Sequence, residues 1–336
     1  MERLVDSFIE KGLFGGAAII AGSEKKDKFV FSRGLADPIA KSPWTHDTVI
    51  DVSSVSKPMG AATAAAICVE RGLIDPDKCF TEYLPRYAGK MVAPVNIRHL
   101  AYHYSGIKPN YPLVDDPALM LKNILASDFP VPPMIRFQYS CVNFHYIGMM
   151  VENVTGARLD DFANENIFAP LGMKDTWWGR PVGGVRERLA RTGRDMDREP
   201  GRIFDRWAVV LYPHVCGNAG IFTTANDIAK FARMMLARCK GFLKSKRMIH
   251  ELFDNTCPAG ADLVPRSFGW SKEKRLIPAG MSENETIFHS GSSGQTVWID
   301  PKSARFIVIM TNLFGSHDEG IQARYRIACE VMQKIM

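Results

Sequence analysis

IDVSSVSKPMGAATAAAICVERG, residues 50–72, is a polar loop running into a helix. The stretch 55–71 holds Ala61, Ala62, Ala64, Ala65 and Ala66, the strongest helix-forming residue type, and Gly72 is a C-terminal stop. A three-residue offset puts Ser54 and Lys57 on one helical face, so both side chains can share a pocket. A serine hydroxyl is a poor nucleophile until its proton is removed, and a lysine can remove it only when neutral, which burial and the positive end of a helix both favour. The helix start also offers the Ser54 N–H to a developing oxyanion. Taken alone, the same four residues are a weak pattern and read first as a capped helix with a surface lysine.

On the N-terminal side, residues 1–14 read as a short amphipathic helix. Residues 15–21 (GGAAIIA) and 28–34 (KFVFSRG) read as a β-hairpin. On the C-terminal side, helical periodicity marks 97–104, 119–126, 144–154 and 159–167, with Pro, Gly and Asp clusters between them. Residues 225–240 form an amphipathic helix capped by Asn226 or the threonines before it. Strands follow at 286–289, 295–300 and 305–311, and a last helix at 319–335. Strands near both ends with helices between them predict an α/β (α+β) fold, a largely antiparallel sheet flanked by helices. Its α/β domain is discontinuous, residues 1–60 and 210–336, and carries a mainly α-helical insert over 61–209.

The chain has 336 residues, 46% apolar and 23% charged, the balance of a globular enzyme with a large core. Its net charge of +6 is interspersed rather than blocked, which argues against a nucleic-acid groove. No run approaches the roughly 20 apolar residues of a membrane span. Seven cysteines without CxxC pairing fit reduced thiols, hence a cytoplasmic protein, and no zinc or other metal site and no organic cofactor is implied.

Two further elements lie in order behind Ser54-x-x-Lys57: Tyr139-Ser140-Cys141, opening FQYSCVNFHYIGMMVENVTG (137–156), and His289-Ser290-Gly291. With them the chain resembles the serine β-lactamase-like, penicillin-recognising superfamily, in the branch of class C β-lactamases, DD-peptidases, D-aminopeptidases and related carboxylesterases. VNIRHLAYHYSGI (95–107), APLGMKDT (169–176), GNAGIFTTANDIAKFARMML (217–236) and WIDPKSARFIVIMTN (298–312) resemble its segments too. The resemblance implies that Ser54 is acylated, that Lys57 and Tyr139 relay the proton, and that the Ser54 and Ser292 amides hold the oxyanion. Out of that context, Tyr139 reads as a packing residue. His289 stands at the third motif as an imidazole able to donate to substrate and to change charge near neutral pH. Gly291 keeps the strand edge open for substrate.

The sequence departs from the family pattern at the second motif, where Cys141 replaces asparagine. A group that could bond both the lysine and a substrate amide becomes a weak donor. Asn143, two residues on, either substitutes for it or caps a helix beginning near Phe144. His103 and Ser105 read as turn residues, and Trp177, Trp178, Trp207 and Tyr212 as core or as the wall of an apolar substrate pocket. An ester has no N–H to satisfy, so the expected substrate is a small ester. The alternatives are a D-amino-acid amide or peptide, or a β-lactam, at the same site, and a non-turnover sensor or structural protein on the same scaffold.

Overall fold

In the computed structural model the described residues are 1–108, 113–181, 183–254 and 264–336, so Cys257 of the seven cysteines lies outside them. The chain opens with α1 (Glu2–Glu10) and the hairpin β1 (Phe14–Gly22) and β2 (Asp27–Asp37), followed by β3 (Ser42–Pro43) and β4 (Ile50–Asp51). Then come α2 (Thr63–Glu70), α3 (Ile97–Ala101), α4 (Pro117–Leu125), α5 (Cys141–Thr155), α6 (Leu159–Ala163) and β5 (Trp177–Trp178). After α7 (Arg206–Leu211) and β6 (Ile221–Thr223), α8 (Ala225–Leu236) and α9 (Lys246–Phe253) lead to β7 (Arg266–Ser267), β8 (Trp270–Ser271), β9 (Ile287–Gly291), β10 (Gln295–Asp300), β11 (Arg305–Leu313) and α10 (His317–Ile335).

The main sheet has eight antiparallel strands in the order β3-β2-β1-β11-β10-β9-β8-β7, so the two ends of the chain meet at β1 and β11. Strand β1 reads FGGAAIIAG, without polar alternation, because both of its faces are covered. Its odd positions, Ala17, Ile19 and Ala21, pack in one core with Ala323, Ile327 and Val331 of α10 and with Val5 and Phe8 of α1. Its even positions, Ala18 and Ile20, enter a second, larger core with Ile228 and Phe231 of α8. The two-residue period of the strand thus feeds both layers.

Several expectations need correction. The expected continuous helix 55–71 begins instead as a tight turn at Ser53–Val55, widens into a π-turn at Lys57–Ala62, and becomes α-helical only at Thr63. Thr63 Oγ1 donates to the Pro58 carbonyl at 2.8 Å, occupying a group that α-helical bonding would use. Helix α5 starts at Cys141, not near Phe144, because Ser140 Oγ accepts from Val142 N at 3.2 Å and caps it; Asn143 lies inside the first turn and is no cap. The 61–209 stretch is not all helical either. Its β5 pairs with β6, which also pairs with β4, making a three-stranded sheet too short to leave a periodic signal. Helices α7 and α9 were likewise unmarked. Among the described residues no helix is long and apolar enough to cross a membrane.

The second sheet fixes how the start of the helix behind Ser54 packs. A β-carbon on Gly60 would fall 2.3 Å from Trp178 Cζ3 and 2.9 Å from Ile221 Cδ1, so only glycine lets the π-turn lie flat on β5 and β6. Gly60→Ala is expected to destabilise the fold by about 1–3 kcal/mol through overpacking, read as a lower Tm; an unchanged Tm would show that the indole moves aside freely.

Candidate active site

Strand β4 delivers the chain to Ser53, which holds φ at +47°, a left-handed conformation that a side chain disfavours. Two contacts hold it there. Its N–H donates to Asp51 Oδ1 at 2.7 Å, and its hydroxyl meets Ser292 Oγ at 2.7 Å. The turn after β9 grips the same loop at two more points: Ser293 Oγ donates to the Asp51 carbonyl at 2.6 Å, and the α-carbon of Gly291 sits where a β-carbon would lie 2.3 Å from the Val52 carbonyl oxygen. Glycine at 291 is therefore required by the approach of the Ser54 loop, a reason the strand sequence alone does not show.

Ser54 follows in this held loop. Lys57 is fully buried, and its Nζ donates to Ser54 Oγ at 3.0 Å and to the Asn218 carbonyl at 2.9 Å. Burial opposes its charge, but the acidic groups that face it, Asp205 among them, outweigh that and raise its pKa. The expectation of a neutral lysine is thereby corrected: Lys57 is held as an ammonium. Burial pushes the Cys141 thiol up against the pull of Lys57, so it stays protonated at neutral pH and Asp205 is the anion left to face the ammonium.

Tyr139 immediately precedes the Ser140 cap of α5 and is 38% exposed. Its ring lies 4.3 Å from that of His103 and 5.1 Å from Lys57 Nζ. Ser54, Tyr139, Cys141, Asp205, His289 and Ser292 all line one open pocket of about 500 Å³. On β9, His289 keeps Nδ1 at 2.9 Å from the Ser290 carbonyl oxygen, and burial, reinforced by Arg266 and Lys57, holds its pKa well below the usual imidazole range. It stays neutral at neutral pH, which corrects the expectation of a change of charge there.

Asn143 is not brought into the pocket. It is fully buried, accepts from Ser105 Oγ at 2.8 Å and lies 3.2 Å from His103 Nδ1, so the HYSG turn and the start of α5 are locked together beneath Tyr139. Trp177, Trp178 and Tyr212 line a separate cleft of about 660 Å³. Three site residues left no signal in the sequence. Asp51 clamps Ser53; Asp205 caps α7, accepting from Ala208 N at 2.9 Å, and faces the pocket; Asn218 supplies the carbonyl that holds Lys57 and donates to Asp205 at 3.1 Å. Among the described residues no group of histidine, cysteine and carboxylate side chains is placed to hold a metal ion.

This geometry coincides with a whole-chain family match, in which the beta-lactamase family model covers residues 1–332. The chain belongs to the beta-lactamase family. This is a family of serine hydrolases on the penicillin-binding-protein fold. The putative D-alanyl-D-alanine carboxypeptidase of Escherichia coli (strain K12) is 24% identical over 303 residues, 80% of this chain and 70% of that protein. Esterase EstB of Burkholderia gladioli is 27% identical over an alignment of 354 positions, which covers 90% of this chain and 87% of that protein. Among solved structures, EstCE1, a hydrolase with promiscuous acyltransferase activity, superposes with a TM-score of 0.78 at 20% identity, covering 99% of this chain and 97% of that one. The beta-lactamase fold expected from the sequence, with its antiparallel sheet between helices, is the fold observed.

Asp51 gives the site a pH signature. Burial, with Asp205 and Asp195 nearby, outweighs the N–H groups of Phe204 and Ser53 and raises its carboxyl from 3.8 to about 7. The folded protein then binds this proton more tightly than the unfolded chain. Asp51 stabilises the fold below about pH 4, and that contribution is lost as pH rises to about 7. Tm should fall across this window in the wild-type protein and follow a flatter curve in Asp51→Asn; parallel curves would assign the slope to another group.

Proposed function

We propose that the protein is a carboxylesterase that hydrolyses small esters through an acyl-enzyme on Ser54. The observation that carries the proposal is the 3.0 Å contact between Lys57 Nζ and Ser54 Oγ inside a pocket that also holds Tyr139 and Ser292. Ser54 Oγ attacks the ester carbonyl, and its proton is relayed through the Tyr139 hydroxyl, which accepts it while giving its own proton to the departing alcohol oxygen. Lys57 carries all three of its hydrogens, so it acts as a donor that aims the hydroxyl and balances the charge formed in the pocket. The Ser54 and Ser292 N–H groups receive the oxyanion. In the second half the same relay runs the other way: water attacks the acyl carbonyl, its proton passes to the Tyr139 hydroxyl as that group gives its own to Ser54 Oγ, and the acid leaves with Ser54 restored.

Cys141 favours an ester over an amide. Where a side-chain amide would meet a substrate N–H, this pocket offers a protonated thiol. The likeness to Esterase EstB supports the same choice. The likeness to a putative D-alanyl-D-alanine carboxypeptidase favours the second reading, an amidase or peptidase at the same serine. The six described cysteines are free, which supports a reducing, cytoplasmic setting.

Hydrolysis of p-nitrophenyl acetate and butyrate beside nitrocefin, with mass spectrometry for a covalent adduct, tests the proposal. Turnover and adduct should both vanish in Ser54→Ala; turnover that survives would remove Ser54 from the chemistry. Lys57→Ala should lower kcat by roughly 10²–10⁴-fold while the protein stays folded, and near-normal turnover would exclude the lysine. Cys141→Asn should raise amide or β-lactam turnover relative to ester, and an unchanged ratio would show that position 141 does not set selectivity.

A further inference from the structure

Beside the Ser54 pocket lies a second cleft of about 420 Å³ whose lining includes Arg194, Arg198, Arg202 and Arg206, with Asp115 and Asp195 as its acidic residues. The four arginines recur every fourth residue, yet only Arg206 is helical, so the spacing does not come from a solvated helix face. Arg194 is fixed in place: its Nη1 donates to the Phe204 carbonyl at 2.6 Å and its guanidinium stacks 4.2 Å over the Phe204 ring. Arg198 has only an exposed pair with its neighbour Asp197 at 3.7 Å. Arg202 and Arg206 make no hydrogen bond or ion pair among the described residues. Of the two acids, Asp195 is buried and turned to the N–H and hydroxyl of Thr192, leaving Asp115 alone on the rim.

Residues 204–206 form the wall between the two cavities. Phe204 and Arg206 line the arginine cleft, and Asp205 between them lines the Ser54 pocket. The wall is tied to the nucleophile loop, since Phe204 N donates to Asp51 Oδ2 at 2.6 Å. A substrate seated on Ser54 with a chain long enough to pass Asp205 meets a concave, positively charged surface holding two guanidinium forks with no partner among the described residues. Such forks match carboxylate and phosphate oxygens. We infer that this cleft binds an anionic group, a carboxylate or a phosphate, carried at the far end of the substrate. The inference rests on the hydrolase reading and narrows it to esters with an anionic tail.

The test pairs p-nitrophenyl esters of ω-carboxy acids of increasing length with their methyl-capped neutral counterparts. At one chain length kcat/KM should favour the carboxylate ester. Arg202→Gln/Arg206→Gln should lower that preference by roughly tenfold, as should raising the salt concentration. An equal change for both esters overturns the inference. Inorganic phosphate should compete with the carboxylate ester alone; if it instead changes turnover of the neutral ester, the cleft takes a separate effector anion and the inference also fails. Calorimetric binding of the carboxylate ester to Ser54→Ala, with and without the two arginine substitutions, answers without turnover, and equal affinities overturn the inference. Failure of the wild-type protein to hydrolyse any neutral ester bears on the hydrolase reading alone.

Discussion

Residues 51–53 and 291–293 come from opposite ends of the chain, and the grip between them is the constraint on which the site depends. Asp51 is held by Ser293, Val52 by the bare backbone of Gly291, and Ser53 by Ser292. The grip keeps Ser53 in a left-handed conformation that costs about 1–2 kcal/mol for a residue with a side chain. That conformation turns the chain from β4 into the helix that carries Lys57. Because β9 is also anchored through β10 and β11 to β1, the main sheet itself sets the distance between the Ser54 loop and the strand that carries His289. The precision of the pocket is thus borrowed from rigid elements rather than from loops.

The electrostatics follow from burial. A lysine taken fully out of water needs compensation, and Lys57 finds it in the Ser54 hydroxyl, the Asn218 carbonyl and the nearby Asp205 carboxylate. Asp205 is itself steadied by the Ala208 N–H and the Asn218 side chain, so Asn218 serves both partners of the charge pair. His103 and His289 shift in the opposite sense to Lys57: burial next to Arg266 and Lys57 keeps both imidazoles neutral. Lys57 is therefore a fixed ammonium beside two neutral imidazole rings, with Asp205 facing it, a preorganised field for a developing oxyanion.

Local physics carries far along this chain. The hairpin 15–34, the helix after Thr224, the final strands and the last helix are marked by their own periodicity. The order of Ser54-x-x-Lys57, Tyr139 and His289 suffices for the beta-lactamase family, because a three-residue offset and a strand histidine are local facts. The features that periodicity could not reach are short or depend on contacts distant in sequence. The pair β5 and β6 amounts to a few residues, and the start of α5 depends on whether Ser140 or Asn143 turns its side chain back to the helix.

The sequence by itself determined the fold class and placed Ser54 and Lys57 side by side, since both rest on residue type and spacing. Only the tertiary structure decided their state. It made Lys57 an ammonium and His289 a neutral ring, sent Asn143 inward to Ser105, and brought Asp51, Asp205 and Asn218 to the site. A pKa is set by what surrounds a group, and those surroundings are assembled from segments as far apart as residues 51 and 293.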